Sequence, residues 1–471
     1  MMIRVTTESA EDLLAGSSIV VDAVVIGLGP GGEYVATELA QAGLSVVGVE
    51  SRLVGGECPY YACVPTKMMI RAADMLTEAR RASELAGTAQ VQPDWGKVHA
   101  RIRDVATDNW DDRVAVERLE SAGVKVIHGR GRLTAPGEVV VSTSDGEVTV
   151  SAGRAVVVNP GTDPAVPPIP GLAGTPFWTN REAVPADKVP SSMIVLGGGP
   201  VGCELTQVFA RFGAKLTLVQ SQDRLLPQSE PEASALLEQR FAEENIRVLT
   251  GGMVSAVEHD ASGFRLTLGD ETLTAEVLLV AAGRRTDLAG LGVGAYGLDE
   301  RAHGIAVDEE MRAAPGLWAI GDITGKGAFT HMSMYQARIA VADILGRPHD
   351  PADYRAVPAV TFTDPEVGQV GLTEAAATGQ GLKVRTAVTP LSSSTRGFIH
   401  GPGGEGLIKL VEDADRGVLV GATSVGPTGG EVLGALAVAV RGEVPTATLR
   451  NMIYAYPTFH RAIETAVYDL A

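Results

Sequence analysis

The chain has 471 residues, 45% of them hydrophobic and 20% charged, a length that suggests about three domains with sizeable cores. Its net charge of −18 argues against a nucleic-acid partner, because phosphate binding needs a basic face. No apolar run approaches the roughly 20 residues of a membrane-spanning helix, so no membrane span is expected.

The stretch MMIRVTTESAEDLLAGSSIVVD is acidic and has no basic flank leading into an apolar core, so no secretory signal is expected. About 20 residues read as an extension before the first strand. Three cysteines fit a reducing, cytoplasmic setting. The apolar run Ala23 to Ile26 suits a buried parallel strand, Glu33 to Gln41 keeps helical spacing, and a second strand ends at Glu50. Between strand and helix lies Gly27-x-Gly29-x-x-Gly32. A long helical stretch follows from about 64 to 122, then short alternating strands from 124 to 158. Near 192 the strand–turn–helix pattern returns as Gly197-x-Gly199-x-x-Gly202, 170 residues after the first, which indicates duplication of a whole domain. After 251 the residues alternate as in a meander and end in a buried strand. A boundary falls near 355, after GRPHDPADYRAVP, and the segment beyond it has no glycine turn of this kind.

Glycines are needed where backbone meets a pyrophosphate. The helix start supplies N–H groups and partial positive charge, and a carboxylate such as Glu50 takes ribose hydroxyls. Two such turns predict two dinucleotide sites. In the second copy Gln220 stands where the first has Glu50. A neutral residue there, with Arg224 four positions on, leaves NADH and NADPH both open and leans towards NADPH. Cys58 and Cys63 lie five apart in GGECPYYACVPTK. A zinc site needs four ligands and only Cys203 remains, so no metal is expected. A cysteine pair at a helix start has its thiolate stabilised, which predicts a redox-active disulfide.

With these motifs, AIGDITG (319–325) and FTDPEVGQVGLTE, the chain resembles the flavin-dependent pyridine nucleotide–disulfide oxidoreductases from about 20 to 465. That family includes dihydrolipoamide dehydrogenase, glutathione reductase and mercuric reductase. The resemblance implies an α/β fold with two Rossmann-like dinucleotide-binding domains and a C-terminal α+β dimerisation domain. FAD would bind residues 1–160 and 284–354 (1–20 being the extension), NAD(P)H 161–283, and residues 355–471 would form the interface of a homodimer. It further implies FAD contacts from Gly27, Gly29, Gly32, Glu50, Gly56 and Lys67. Gly129, Gly161, Gly321, Asp322 and Thr330 would add to these. Gly197, Gly199, Gly202, Gln220 and Gly283 would face the nicotinamide nucleotide. Lys67 would pair with Glu204. Hydride would pass from nicotinamide to flavin and electrons on to the disulfide, with Cys63 against the flavin and Cys58 as the exposed interchange thiol. VNPGT (158–162) keeps only Gly161 of the family's Ala-Thr-Gly.

The tail departs from the family. Tyr456 occupies the position of the histidine that handles the substrate proton, and Arg461 that of the glutamate that orients it. A tyrosine of pKa near 10 donates a proton but is a poor base at neutral pH. Ordinary dihydrolipoamide or glutathione turnover should therefore be slow. His460 and Glu464, four apart, are a candidate replacement pair, against a solvated face with Arg461 and Glu464 paired. Tyr454 and Tyr456 could instead pack at the dimer interface, and His331 and His400 read as structural. The chain lacks the C-terminal cysteine pair of mercuric reductase. An NAD(P)H oxidoreductase passing electrons through Cys58 and Cys63 to a quinone, another small electrophile or an unusual disulfide is expected. The alternatives are a reductive C–S cleaving enzyme like ketopropyl-coenzyme M oxidoreductase/carboxylase, whose Cys-Pro-x-x-Ala-Cys is similar, and a low-turnover redox-sensing flavoprotein.

Overall fold

The computed structural model describes residues 2–4 and 17–470. Two compact units divide the chain, one of 1–65, 102–163 and 284–354, the other of 66–101, 164–283 and 355–471.

In the first unit, strands Arg312–Ala314, Leu317–Ala319, Gly146–Val158, Ser18–Ile26, Val46–Glu50 and Val124–His128 lie side by side in that order. All these pairings are parallel except the one at the Arg312–Ala314 edge. Alternating side chains explain why Ala23 to Ile26 is apolar throughout. Val24 and Ile26 enter one core, and Ala23 and Val25 the other. Helices Pro30–Gln41 and Thr330–Leu345 cover the second face with Val35, Ala36, Leu39, Ala337 and Ile344. The first face is closed by Leu133, Val139 and Val141 from the antiparallel strands Arg130–Ala135 and Glu138–Thr143. The stretch read as an extension contains structure: strand Met2–Arg4 pairs in parallel with Ser18 to Val20.

The long helical stretch is broken. Helix Cys63–Leu85 ends just before Gly87, which is left-handed (φ 145°), and helix Trp95–Arg101 follows. A π-helical turn Ile102–Ala106 continues directly from it, and helix Arg113–Ser121 begins after a bend at 107–112. None of the helices among the described residues is long and apolar enough to cross a membrane.

In the second unit, strands Arg247–Leu249, Lys215–Val219, Ser192–Leu196 and Val277–Val280 form a parallel sheet. The meander forms as three antiparallel strands, Val254–Asp260, Gly263–Leu268 and Glu271–Ala275. Its Phe264, Leu266 and Leu273 share a core with Ile194, Leu196 and Leu278 of the parallel sheet. Beyond 355 an antiparallel sheet runs Pro358–Thr361, Glu366–Gly371, Val418–Gly426, Leu407–Asp413, Val384–Pro390. Helix Gly429–Arg441 packs Val432, Leu433 and Leu436 on it, and helix Ala462–Asp469 packs Ile463, Ala466 and Val467.

Sequence patterning does not foresee the buried charges of this unit. Arg211, 3% exposed, meets Asp74 (2.6 Å), Glu244 (2.6 Å) and Asp364 (2.7 Å). Lys409, 2% exposed, meets Glu230 (3.0 Å), Glu232 (2.8 Å) and Glu374 (2.8 Å). Each cation is compensated by several carboxylates, which is the condition for tolerating a charge out of water.

Candidate active site

In the first unit the glycine turn leads from strand Ser18–Ile26 into helix Pro30–Gln41, with Gly29 as the N-cap. Gly29 carries no capping side chain, so the helix start keeps N–H groups and partial positive charge for an anion. Gly27 is left-handed (φ 90°), and a Cβ there would lie 2.2 Å from the Asn159 carbonyl oxygen. A Cβ on Gly32 would lie 2.0 Å from the Gly27 carbonyl oxygen, so the loop closes only with glycine at both positions. The cysteine-bearing segment reaches the same turn, since a Cβ on Gly56 would meet Gly29 Cα at 2.8 Å.

Glu50 is 8% exposed and accepts from the backbone N–H of Leu28 (2.8 Å) and Arg52 (2.9 Å). Burial raises its pKa, and these donors partly offset the shift. Gly129 donates its N–H to the Glu50 carbonyl at 2.8 Å. Asn159, which sequence reasoning left aside as a lapse from the family pattern, ties the turn together. It accepts from Gly32 N–H (2.9 Å) and donates to Ile320 O (3.2 Å) and Ser333 Oγ (3.0 Å). Asp322 accepts from Thr162 Oγ1 at 2.8 Å, and Arg284 Nε lies 3.8 Å from its carboxylate. Gly321 donates to Gln336 Oε1 at 2.7 Å, and nothing lies within 4 Å of a Cβ placed on Gly161. A glycine cradle, an open helix start and a buried carboxylate fit a dinucleotide such as FAD.

The cysteines do not share one helix start. Cys58 belongs to a separate turn, Glu57–Tyr60, and Cys63 opens helix Cys63–Leu85. Cys63 is exposed, Cys58 half-buried, and Cys63 Sγ lies 3.4 Å from Thr330 Oγ1. Cys203 is wholly buried, which raises its thiol pKa and keeps it inert.

In the second unit the turn recurs. Gly197 is left-handed (φ 111°), and a Cβ on Gly202 would fall 1.9 Å from the Gly197 carbonyl oxygen. Gly199 caps helix Pro200–Arg211 without a side-chain bond, and nothing lies within 4 Å of a Cβ there or at Gly283. This open cradle fits a second dinucleotide. Gln220 is buried at the end of its strand, and Arg224 is braced by Pro227 O (2.9 Å) and Asp223 (3.5 Å). Lys67 Nζ meets Glu204 Oε2 at 2.7 Å, while Glu204 Oε1 accepts from Phe362 N–H at 2.9 Å. Lys67 also lies 4.8 Å over the Phe362 ring. Phe362 opens the FTDPEVGQVGLTE motif, but nothing in that motif assigned it this contact. Lys67→Ala strands a carboxylate that is 5% exposed. Lys67 is about a third exposed, so the expected loss, ~2 kcal/mol in denaturant titration, lies below the range for fully buried pairs.

The tail forms its own arrangement. Tyr454 is 4% exposed, donates to Leu449 O at 2.9 Å and belongs to the chain's own core, which corrects its reading as an interface residue. Burial and the charge of Glu464 push its pKa up to about 12. Tyr456 is 65% exposed, donates to Thr395 Oγ1 at 3.3 Å and carries the Arg461 guanidinium 5.4 Å from its ring centre. Glu464 pairs with Arg461 at 2.8 Å, and the His460 ring packs 5.3 Å from Tyr454, so the Arg461–Glu464 pairing forms and the His460–Glu464 pair does not, although His460 and Arg461 lie in the turn before helix Ala462–Asp469 and not on its face. His331 stacks on Phe329 and His400 packs on Phe459.

Residues 21–342 match the family model of the pyridine nucleotide-disulphide oxidoreductases, and residues 357–467 match that family's dimerisation domain. Dihydrolipoyl dehydrogenase of Chlorobaculum tepidum is 34% identical over 457 residues, covering 95% of this chain and 96% of that protein. The dihydrolipoyl dehydrogenase of Zymomonas mobilis is 31% identical over 458 residues, covering 95% and 97%. Among solved structures, LpdA from Mycobacterium tuberculosis superposes with a TM-score of 0.84 at 29% identity, covering 96% of this chain and all of that one. The HOCl-induced flavoprotein disulfide reductase RclA from Escherichia coli shares the fold, with a TM-score of 0.83 at 24% identity, covering 95% and 99%. By a match over about two thirds of its length, and by its fold, the chain belongs to the pyridine nucleotide-disulphide oxidoreductases, flavoprotein enzymes that use a pyridine nucleotide.

Proposed function

We propose that the enzyme passes electrons from NAD(P)H through a Cys58–Cys63 disulfide to a small acceptor that needs no histidine base: a quinone, another electrophile or an unusual low-molecular-weight disulfide. The observation that carries this reading is the tail, where an exposed Tyr456 stands under Arg461, itself paired with Glu464. FAD, when bound, supplies the two-electron step between the nicotinamide and the cysteine pair. Gly27, Gly29, Gly32, Gly56 and Glu50 are the residues proposed to hold it, with Gly129, Gly161, Gly321, Asp322, Thr330 and Lys67. Gly197, Gly199, Gly202, Gln220 and Gly283 are proposed to hold the nicotinamide nucleotide. NADPH is the preferred donor in this reading, because Gln220 is neutral and Arg224 is near in sequence.

With a disulfide acceptor, the Cys58 thiolate attacks one sulfur and releases the first thiol. Cys63 then attacks Cys58, releases the second thiol and restores the pair. Both leaving thiolates need a proton, which Tyr456 can donate and regain from water, whereas withdrawing a proton from an incoming thiol is the task it performs poorly. The reading includes a homodimer in which one subunit's tail completes the other's site. Support comes from the dimerisation-domain match and from Phe398 (82% exposed) and Ile453 (97%) within it.

An acceptor screen with both nucleotides tests the reading, and Tyr456→His sharpens it. That substitution is expected to raise dihydrolipoamide oxidation, in which an incoming thiol must lose its proton, about tenfold, a fraction of the ~10²–10⁴ a complete base supplies. No rise at all would mean that the missing base is not the obstacle to this substrate.

A further inference from the structure

The bend at 107–112, unused in the proposed chemistry, has an unusual backbone. Asp108, Asn109 and Trp110 are three successive non-glycine residues in the left-handed region, with φ of 46°, 58° and 58°. Aspartate and asparagine tolerate this conformation, but a bulky tryptophan does not adopt it without compensation. The π-helical turn Ile102–Ala106 leads directly into the bend. Buried Thr107 stabilises it from within, donating to Ile102 O (3.1 Å) and Arg103 O (3.2 Å) and accepting from Trp110 N–H (3.3 Å).

What the bend grips is the segment around Cys58. Asp112 Oδ2 accepts from Val54 N–H at 2.7 Å, ahead of the cysteine. Beyond it, Trp110 Nε1–H donates to Tyr60 O at 3.2 Å, and the indole stacks on Tyr61 with centroids 6.5 Å apart and planes 27° from parallel. Tyr60 closes the loop on itself, donating its hydroxyl to Val54 O at 3.2 Å. Two of the four residues between Cys58 and Cys63 are therefore held by one side chain, Trp110.

We propose that Trp110 is a positioning residue for the cysteine pair: it holds the intervening loop where the two sulfurs can bond, and so sets the disulfide's reduction potential. This rests on the reading of Cys58 and Cys63 as a redox couple. Closure of a dithiol depends on the effective concentration of one sulfur at the other, and ordering the loop between them raises it. The reaction that reports it is Cys58–Cys63 plus dithiothreitol giving two cysteine thiols and cyclic oxidised dithiothreitol. One S–S bond breaks and one forms, with two electrons and two protons passing to the protein.

The full-length holoprotein is equilibrated anaerobically in dithiothreitol redox buffers, and thiols are counted by alkylation and mass. Trp110→Ala is expected to move the equilibrium at least tenfold towards the reduced pair, a potential about 30 mV more positive. Trp110→Phe, which keeps a ring for Tyr61 but loses the indole donor, is expected to fall between Trp110→Ala and the wild type. If both variants match the wild type within twofold, the clamp is wrong while the redox couple stands. A wild type that shows three alkylatable thiols at every buffer ratio overturns the couple, and the clamp with it.

Discussion

Cys63→Ser abolishes NAD(P)H-driven reduction of a disulfide acceptor, with an expected loss of ~10³-fold or more, the scale seen when one member of a concerted catalytic unit is removed. A serine hydroxyl can neither form the internal disulfide nor attack Cys58 to expel the second thiol, so the variant stalls as a mixed disulfide on Cys58. Cys58→Ser is expected to fail earlier, with no adduct at all. The acceptor decides how far the effect extends. Undiminished quinone reduction by Cys63→Ser would show that this acceptor takes electrons without the cysteine pair. Steady-state rates with each acceptor, together with the mass of the stalled protein, distinguish these outcomes.

Gly32→Ala is expected to have the second largest effect. Its new methyl group would lie 2.0 Å from the Gly27 carbonyl oxygen, a backbone atom that cannot move away as a flexible side chain could. Gly27 is itself fixed, since a Cβ there would approach the Asn159 carbonyl at 2.2 Å, and Asn159 in turn bonds to Ile320 and Ser333. The strain therefore spreads through the whole first turn, and overpacking of this kind costs ~1–3 kcal/mol or more. Protein purified from this variant should carry less than a tenth of the wild-type flavin per chain and unfold at a lower temperature. Gly43→Ala is the comparison: Gly43 is left-handed (φ 91°), which Gly32 is not, but no atom lies within 4 Å of its Cβ position. It should lose some stability and keep its flavin.

Much of this was legible in the residues because the features are local. A glycine turn between an apolar strand and an amphipathic helix, ending in Glu50 or Gln220, is specified within about thirty residues. The pairing of Arg461 with Glu464 followed from their spacing alone, although Arg461 caps the helix and does not lie on its face. What could not be read depends on contacts between distant parts of the chain. Asn159 looks like a lapse from the family pattern until its amide is seen to join Gly32, Ile320 and Ser333. Tyr454 and Tyr456, two residues apart, have the same chemistry in sequence but lie at 4% and 65% exposure. Trp110 gave no signal, because its left-handed backbone and its hold on Tyr60 and Tyr61 both arise from the bend after a π-helical turn. The separation of Cys58 from the helix that Cys63 begins was hidden for a similar reason. Tyr61 and Ala62 interrupt what reads as one helical start.

Counting thiols tests the central claim most directly. The chain has three cysteines, and Cys203 is buried. Air-equilibrated protein, denatured and alkylated, should expose one thiol per chain. The same protein treated anaerobically with NADPH before denaturation should expose three. One thiol before and one after, or three in both, would contradict electron passage through a Cys58–Cys63 disulfide.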